Sequence, residues 1–72
     1  MGDGGMKIYY DPKHDVMYIE FSDKNVVDTI EVEDGILIDY GENKEIVGIE
    51  IIDASRRLKA NLQEITIRLE QL

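Results

Sequence analysis

The chain has 72 residues, enough for one domain, and no Cys, which excludes disulfides and thiolate metal sites. Its 16 acidic and 8 basic residues give a net charge of −8. An acidic surface repels phosphates and so disfavours nucleic-acid binding, and the short apolar runs fall far below the length of a membrane span. We therefore expect a small cytoplasmic protein that binds neither nucleic acid nor membrane.

The first five residues differ in composition from the rest of the chain. Residues 1–5, Met-Gly-Asp-Gly-Gly, are rich in glycine and precede a second methionine, Met6. This pattern is typical of an expression leftover. We expect residues 6–72 to form a single small domain.

Five short segments between residues 7 and 52 alternate apolar and polar residues, which predicts strands separated by polar turns. Between the third and fourth segments, Asp34-Gly35 is a strong hairpin signal. Consecutive strands with short connections usually pair as neighbours, so the expected arrangement is an antiparallel meander. The predicted strands are Lys7–Tyr10, Val16–Phe21, Val26–Glu33, Ile36–Tyr40 and Ile46–Ile52.

The alternation also predicts a second, partly apolar sheet face that one short helix cannot cover. Tyr9, Tyr18, Leu37 and Ile46 fall on that face. In the fifth strand, Gly48 predicts a bulge or the close approach of a bulky group.

After Ile52 the sequence period changes to that of a helix. Asp53 or Ser55 is expected to cap its start. The final residues allow two structures. The 4-3-4-3 spacing over Leu58–Leu72 favours one long helix with a coiled-coil-like seam, whereas the β-branched cluster Ile65-Thr66-Ile67 favours a sixth strand. The predicted fold class is α+β, an antiparallel β-meander of five to six strands with one C-terminal helix packed on a face.

Candidate chemical groups are few, and together they define only a weak candidate surface. The single histidine lies in a turn with two aspartates, an arrangement that could supply a general base or a mixed oxygen and nitrogen metal site. Two further carboxylates on neighbouring predicted strands could face each other and raise one pKa. The residues of this surface are Tyr10, Asp11, His14, Asp15, Asp39 and Glu50.

Both chemical interpretations lack supporting groups. One histidine without cysteine is a poor set of metal ligands, and a small meander offers little concavity for a pair of catalytic carboxylates. We predict no catalytic, cofactor-binding or metal-binding residues, no cofactor and no enzyme activity. A metal-binding or hydrolytic domain using carboxylates and His14 stays as an alternative.

Five segments form a recognisable set: Tyr10-Asp11-Pro12, Asp15–Ile19, Phe21-Ser22, Gly35–Tyr40 and, most specifically, Val47–Ser55 within Ile46–Ser55. Together they resemble the small prokaryotic family catalogued as domain of unknown function 2283. The resemblance implies a small α+β protein of bacteria or archaea with no established activity and no catalytic residues to carry over. Family members encoded beside small toxin-like proteins imply an antidote-like binding role.

The charge is unevenly distributed along the chain. Residues 1–53 hold 14 acids against 4 lysines, giving −10, whereas residues 54–72 hold 4 basic residues against 2 acids, giving +2. A strongly acidic body attracts basic proteins. The sequence therefore favours an acidic interaction protein with a basic protein partner. The alternative is a homo-oligomer, such as a homodimer, assembled through the second apolar face or the seam over Leu58–Leu72.

Overall fold

The computed structural model describes residues 5–71 and consists of one five-stranded antiparallel sheet with one short helix. The α+β class, the five strands and the single C-terminal helix are confirmed. Of the predicted expression leftover, residues 1–5, only Gly5 lies within the described residues. The elements are β1 (Lys7–Asp11), β2 (Val16–Glu20), β3 (Asp28–Glu33), β4 (Ile36–Tyr40), β5 (Ile46–Ile52) and α1 (Ala54–Leu58).

The strand order corrects the predicted meander. The sheet runs β1-β2-β5-β4-β3, so β2 pairs with β5 and not with β3. Strand β5 is the most apolar strand, and burial on both sides favours a central place for it. Strand β3, exposed along its whole length, lies at an edge. Residues 21–27 run past the end of β5, with Phe21 N–H donating to Val47 O and Val27 N–H donating to Tyr40 O.

The two faces of the sheet differ in what covers them. The helix face carries α1 and the core, in which buried Met17, Ile51 and Ala54 contact one another. The opposite face, called the open face below, carries Tyr9 and Tyr18, as the period-two alternation predicts. This cluster sits at the end of the sheet where α1 begins, and buried Val47 lies further along β5.

The start of α1 is held by a residue distant in sequence. Asp53 occupies the N-cap position with a left-handed backbone, but its side chain does not cap the helix. Instead, Asp15 in the β1–β2 turn accepts hydrogen bonds from Ser55 N–H at 3.0 Å and Ser55 Oγ at 2.9 Å. The expectation of a cap from Asp53 or Ser55 is wrong, because the nearest acceptor to the first turn comes from the neighbouring hairpin.

The C-terminal segment forms neither of the two predicted structures. Helix α1 ends at Leu58, where Lys59 takes a left-handed conformation, and residues 61–71 contain no strand. Leu62 packs against the core, while residues 63–71 are exposed. Among residues 5–71, no helix is long and apolar enough to cross a membrane.

Candidate functional site

The open face combines tyrosines with carboxylates in two adjacent rows that cross all five strands. One row contains Tyr9, Tyr18, Glu50, Leu37 and Glu31, in strand order. The next contains Lys7, Glu20, Gly48, Asp39 and Thr29. The two rows thus present four carboxylates, one lysine and two tyrosines.

The ring of Tyr18 crosses the sheet over Gly48. Its hydroxyl donates to Asp39 Oδ2 at 2.8 Å, and Thr29 Oγ1 donates to Asp39 Oδ1 at 2.6 Å. A Cβ atom at Gly48 would collide with the Tyr18 hydroxyl, so only glycine leaves room for this bridge. Burial, followed by the hydrogen bond to the Asp39 carboxylate, raises the pKa of Tyr18 to about 12. Tyr18 therefore stays a neutral donor at physiological pH.

A shallow groove lies beside β1 and β2 on this side of the molecule. Its volume is about 670 Å³, and its lining includes Tyr9, Tyr18, Asp11 and His14. Tyr10 also belongs to the lining, so three tyrosine side chains and a carboxylate border the same depression. Such a surface suits contact with a flat or cationic group.

The β1–β2 turn brings Asp11 and His14 together. His14 Nδ1 lies 2.7 Å from Asp11 Oδ2, and the backbone N–H of Lys13 donates to Asp11 Oδ1 at 3.0 Å. The hydrogen bond from the His14 side chain is the main cause that lowers the pKa of Asp11. Both side chains are exposed, so this pair is an outward-facing turn contact.

Tyr10 and Asp15 are bonded to each other beside the helix, and Tyr10 also lines the groove. Tyr10 Oη donates to Asp15 Oδ1 at 2.6 Å, and this bond both lowers the pKa of Asp15 and raises the pKa of Tyr10. Because Asp15 also accepts the two bonds from Ser55, its carboxylate connects β1, the first turn and α1. These two residues stabilise the fold.

The six residues of the weak candidate surface are thus separated into three places. Asp11 and His14 form the turn pair, and Tyr10 and Asp15 join the helix anchor. Asp39 and Glu50 share the open face, but Asp39 pairs with Gly48 while Glu50 pairs with Leu37 and Tyr18. The expectation that Asp39 and Glu50 stand directly opposite each other is wrong, because the register offsets them by two residues. Within residues 5–71, no cluster of three or more His, Asp or Glu side chains is arranged to hold a metal ion.

The open face contains participants that the candidate surface omits. Glu20, Glu31 and Thr29 belong to its rows, and Tyr18 provides the bridge to Asp39. Period-two alternation puts Tyr18 and Glu20 on one face of β2, so the sequence pattern could have placed both residues on the open face. The meander pairing, however, places β2 next to β3 and hides the contact between Tyr18 and β4.

Comparison with curated proteins gives one longer relative. A Methanosarcina mazei protein named "Putative hypoxanthine phosphoribosyltransferase" is 36% identical over 59 residues, which are 82% of this chain and 47% of that protein. The chain thus spans about half the length of this relative. No solved structure matches the chain significantly.

The family comparison covers the sheet and the start of the helix. The family described as "Protein of unknown function (DUF2283)" matches residues 7–55. Those limits run from the first residue of β1 to Ser55, the helix residue bonded to Asp15. The matched region includes every strand, the Tyr18–Gly48–Asp39 bridge and the helix anchor, and the chain therefore belongs to the DUF2283 family.

Proposed function

We propose that the chain is a non-enzymatic binding protein whose open face engages a basic protein partner. The observation that carries this proposal is the composition of the two open-face rows, with four carboxylates against one lysine on a face that no helix within residues 5–71 covers. Binding of this kind needs no cofactor, nucleic acid or membrane, and we place it in the cytoplasm.

The chemistry of the rows suits arginine and lysine side chains. Carboxylates form charge-assisted hydrogen bonds with guanidinium and ammonium groups. The ring of Tyr9, which is 52% exposed, lies next to Tyr18 and offers an aromatic face to a cation. The Asp39 bond fixes the Tyr18 ring, so this part of the surface is ordered before a partner arrives.

The acidic rows also bear on the activity named for the Methanosarcina mazei relative. That name specifies a phosphoribosyl group, which is anionic. Glu20, Glu50 and Glu31 would repel an anionic ligand from the open face. We therefore propose that the residues this chain shares with the Methanosarcina mazei protein bind a protein and do not transfer a phosphoribosyl group.

The experiment compares two triple variants that remove the same amount of charge. The open-face variant neutralises three glutamates of the rows, and the control neutralises three exposed acids in turns and in the tail. The open-face variant is Glu20→Gln, Glu31→Gln and Glu50→Gln. The control is Asp23→Asn, Glu42→Gln and Glu64→Gln.

Each protein is used to capture partners from the lysate of its own organism, and to titrate a defined arginine-rich peptide at several salt concentrations. We expect the wild type and the control to capture the same basic protein at low salt, with loss of binding as salt rises. The open-face variant should lose that protein and bind the peptide at least about tenfold more weakly than the control. Equal loss in both variants, or a salt-insensitive partner, would refute a specific acidic site.

A further inference from the structure

The middle of the helix face is left incompletely covered. Five isoleucines lie in register across the five strands and form what we call the isoleucine row: Ile8, Ile19, Ile49, Ile38 and Ile30. Three of the five pack against the buried cluster but stay partly exposed, as does Ile38, and Ile30 is 46% exposed. A central apolar row on the core face of a sheet is where burial should be greatest.

The reason for this exposure is the size and position of α1. Its five residues lie at the end of the sheet beside the β1–β2 and β3–β4 turns, where Arg57 reaches the Asp34 carbonyl oxygen. The chain continues past Leu62, but residues 63–71 stay exposed and include three apolar side chains. The described part of the chain therefore leaves the row without a full cover of its own.

The exposed area of the chain is larger than expected for a compact monomer. It is 5814 Å², whereas a monomer of 8.3 kDa is expected to expose roughly 4,600 Å². The excess of roughly 1,200 Å² is more than the roughly 800 Å² that each partner contributes to a standard interface. Part of this excess belongs to residues 63–71, which are exposed throughout, so a second molecule has these residues as well as the isoleucine row to bury.

The distribution of charge indicates which face of the sheet a second copy of this chain can contact. Two copies of this chain each carry −8 and repel each other through their acidic open faces. The isoleucine row contains no charged side chain, so it is the part of the sheet that a like-charged copy can approach. A row that is apolar along its length is also self-complementary under two-fold symmetry, which a dimer interface requires.

We propose that a second copy of this chain covers the isoleucine row, with the two helix faces packed together in a symmetric homodimer. The two open faces then lie on the outside, available to other partners. This dimer does not depend on the function proposed for the open face.

Sedimentation equilibrium of the full chain, from micromolar to near-millimolar concentration, tests the proposal. We expect a monomer–dimer equilibrium that shifts toward dimer as salt screens the repulsion between copies, opposite to the salt effect on binding of a basic partner. Ile30→Glu places an acid in the row at an exposed edge-strand position. It should raise the dimer dissociation constant by about a hundredfold, as expected for loss of an interface anchor.

Tyr9→Glu is the matched control. It adds the same charge at a similarly exposed position on the other edge strand, but on the open face. It should leave the dissociation constant close to that of the wild type. If Ile30→Glu loses its circular dichroism spectrum, Ile30→Thr keeps a β-branched residue on the strand and tests the same position.

Nuclear Overhauser effects between isotopically distinct copies provide a direct measurement. In a mixed sample, methyl contacts between Ile30 or Ile38 of one copy and the row of the other are expected. A concentration-independent monomer at high salt would overturn the proposal. A dimer that Tyr9→Glu weakens and Ile30→Glu does not would overturn it as well.

Discussion

Gly48 is the residue on which the geometry of the open face depends most directly. It lies in the middle of the central strand, where glycine is normally unfavourable. Its lack of a side chain allows the Tyr18 ring to cross β5 and reach Asp39 on β4. The absence of a side chain at Gly48 in β5 therefore allows a hydrogen bond between β2 and β4.

Gly48→Ala should lower the free energy of unfolding by about 2 kcal/mol, because the new Cβ displaces the Tyr18 ring in a packed sheet. Urea denaturation measures this change. In a Tyr18→Ala background, the same substitution should cost much less or even stabilise, since alanine is preferred to glycine in a strand. Gly41→Ala is the control, because its Cβ meets only the far end of the flexible Glu45 side chain. Additive effects of the Gly48 and Tyr18 substitutions would disprove the steric explanation.

Asp15 makes the anchoring of α1 dependent on pH. The bonds from Tyr10 and Ser55 lower its pKa from the ordinary value of 3.8, so the folded state favours the ionised form. The resulting stabilisation is complete above that value and is lost as pH falls through the lowered pKa. In urea denaturation, wild type should exceed Asp15→Asn in stability at neutral pH, and the difference should shrink in that acid window. Asp23→Asn, in an exposed turn, should show no such convergence. A constant difference for Asp15→Asn across the window would contradict the role of its ionised form.

The sequence predicts the faces of individual residues better than their contacts. Alternation alone assigns Met17 and Ile19 to one side of β2 and Tyr18 to the other, and the bulky approach at Gly48 follows from a glycine in mid-strand. It does not predict that Asp15 caps α1. That contact joins residues 40 positions apart and depends on which hairpin lies beside the helix.

At the scale of elements, strand bounds are predictable to within two residues, whereas strand order is not. Short polar turns predict the β1–β2 and β3–β4 hairpins, and both form. Residues 22–25 are also predicted to be a turn, yet the segment 21–27 spans from β2 to the far edge strand. Local sequence cannot distinguish a hairpin turn from a connection between distant strands, because the preference of β5 for the centre comes from burial in the assembled sheet.

The C-terminal segment shows the same limit. Residues 63–71 have both a helical spacing and a β-branched cluster, and they form neither element. Secondary structure of this length needs a packing partner. If two copies associate as proposed, a partner for these residues becomes available only in the dimer.

Arg57 connects α1 to the β3–β4 hairpin. Its guanidinium donates to the Asp34 carbonyl oxygen and lies 3.8 Å from Glu33 Oε2. Arg57→Ala should cost about 1 kcal/mol of unfolding free energy, near the middle of the range for hydrogen bonds, because it removes the bond to the Asp34 carbonyl oxygen. The buried Nε has no partner among the described residues, so its removal keeps the cost from being larger.

The neighbouring Arg56 provides the control for this prediction. It pairs with Asp53 at 2.7 Å but is 78% exposed at its side chain, so Arg56→Ala should cost less than about 0.5 kcal/mol. Chemical denaturation of both variants measures the two changes. If both cost the same, the bridge from α1 to the hairpin is not the cause.

At the scale of the whole molecule, the net charge of −8 opposes the compact state through self-repulsion. Added sodium chloride should therefore raise the melting temperature at neutral pH by several degrees, when measured at concentrations where the chain is monomeric. The same series near the isoelectric point of about 4.4 should show little change. An equal effect of salt at both pH values would show that screening of the net charge is not responsible.

The strand order also governs how the sheet is made during synthesis. Each hairpin, β1–β2 and β3–β4, can form as soon as it leaves the ribosome, but no strand of one pairs with a strand of the other. Only β5, the last strand to be translated, fits between them and closes the gap. A nascent chain stopped before Ile46 would therefore contain two separate hairpins, in which β2 and β4 each have an unpaired edge. We expect quality-control proteases to degrade this incomplete sheet until β5 is inserted.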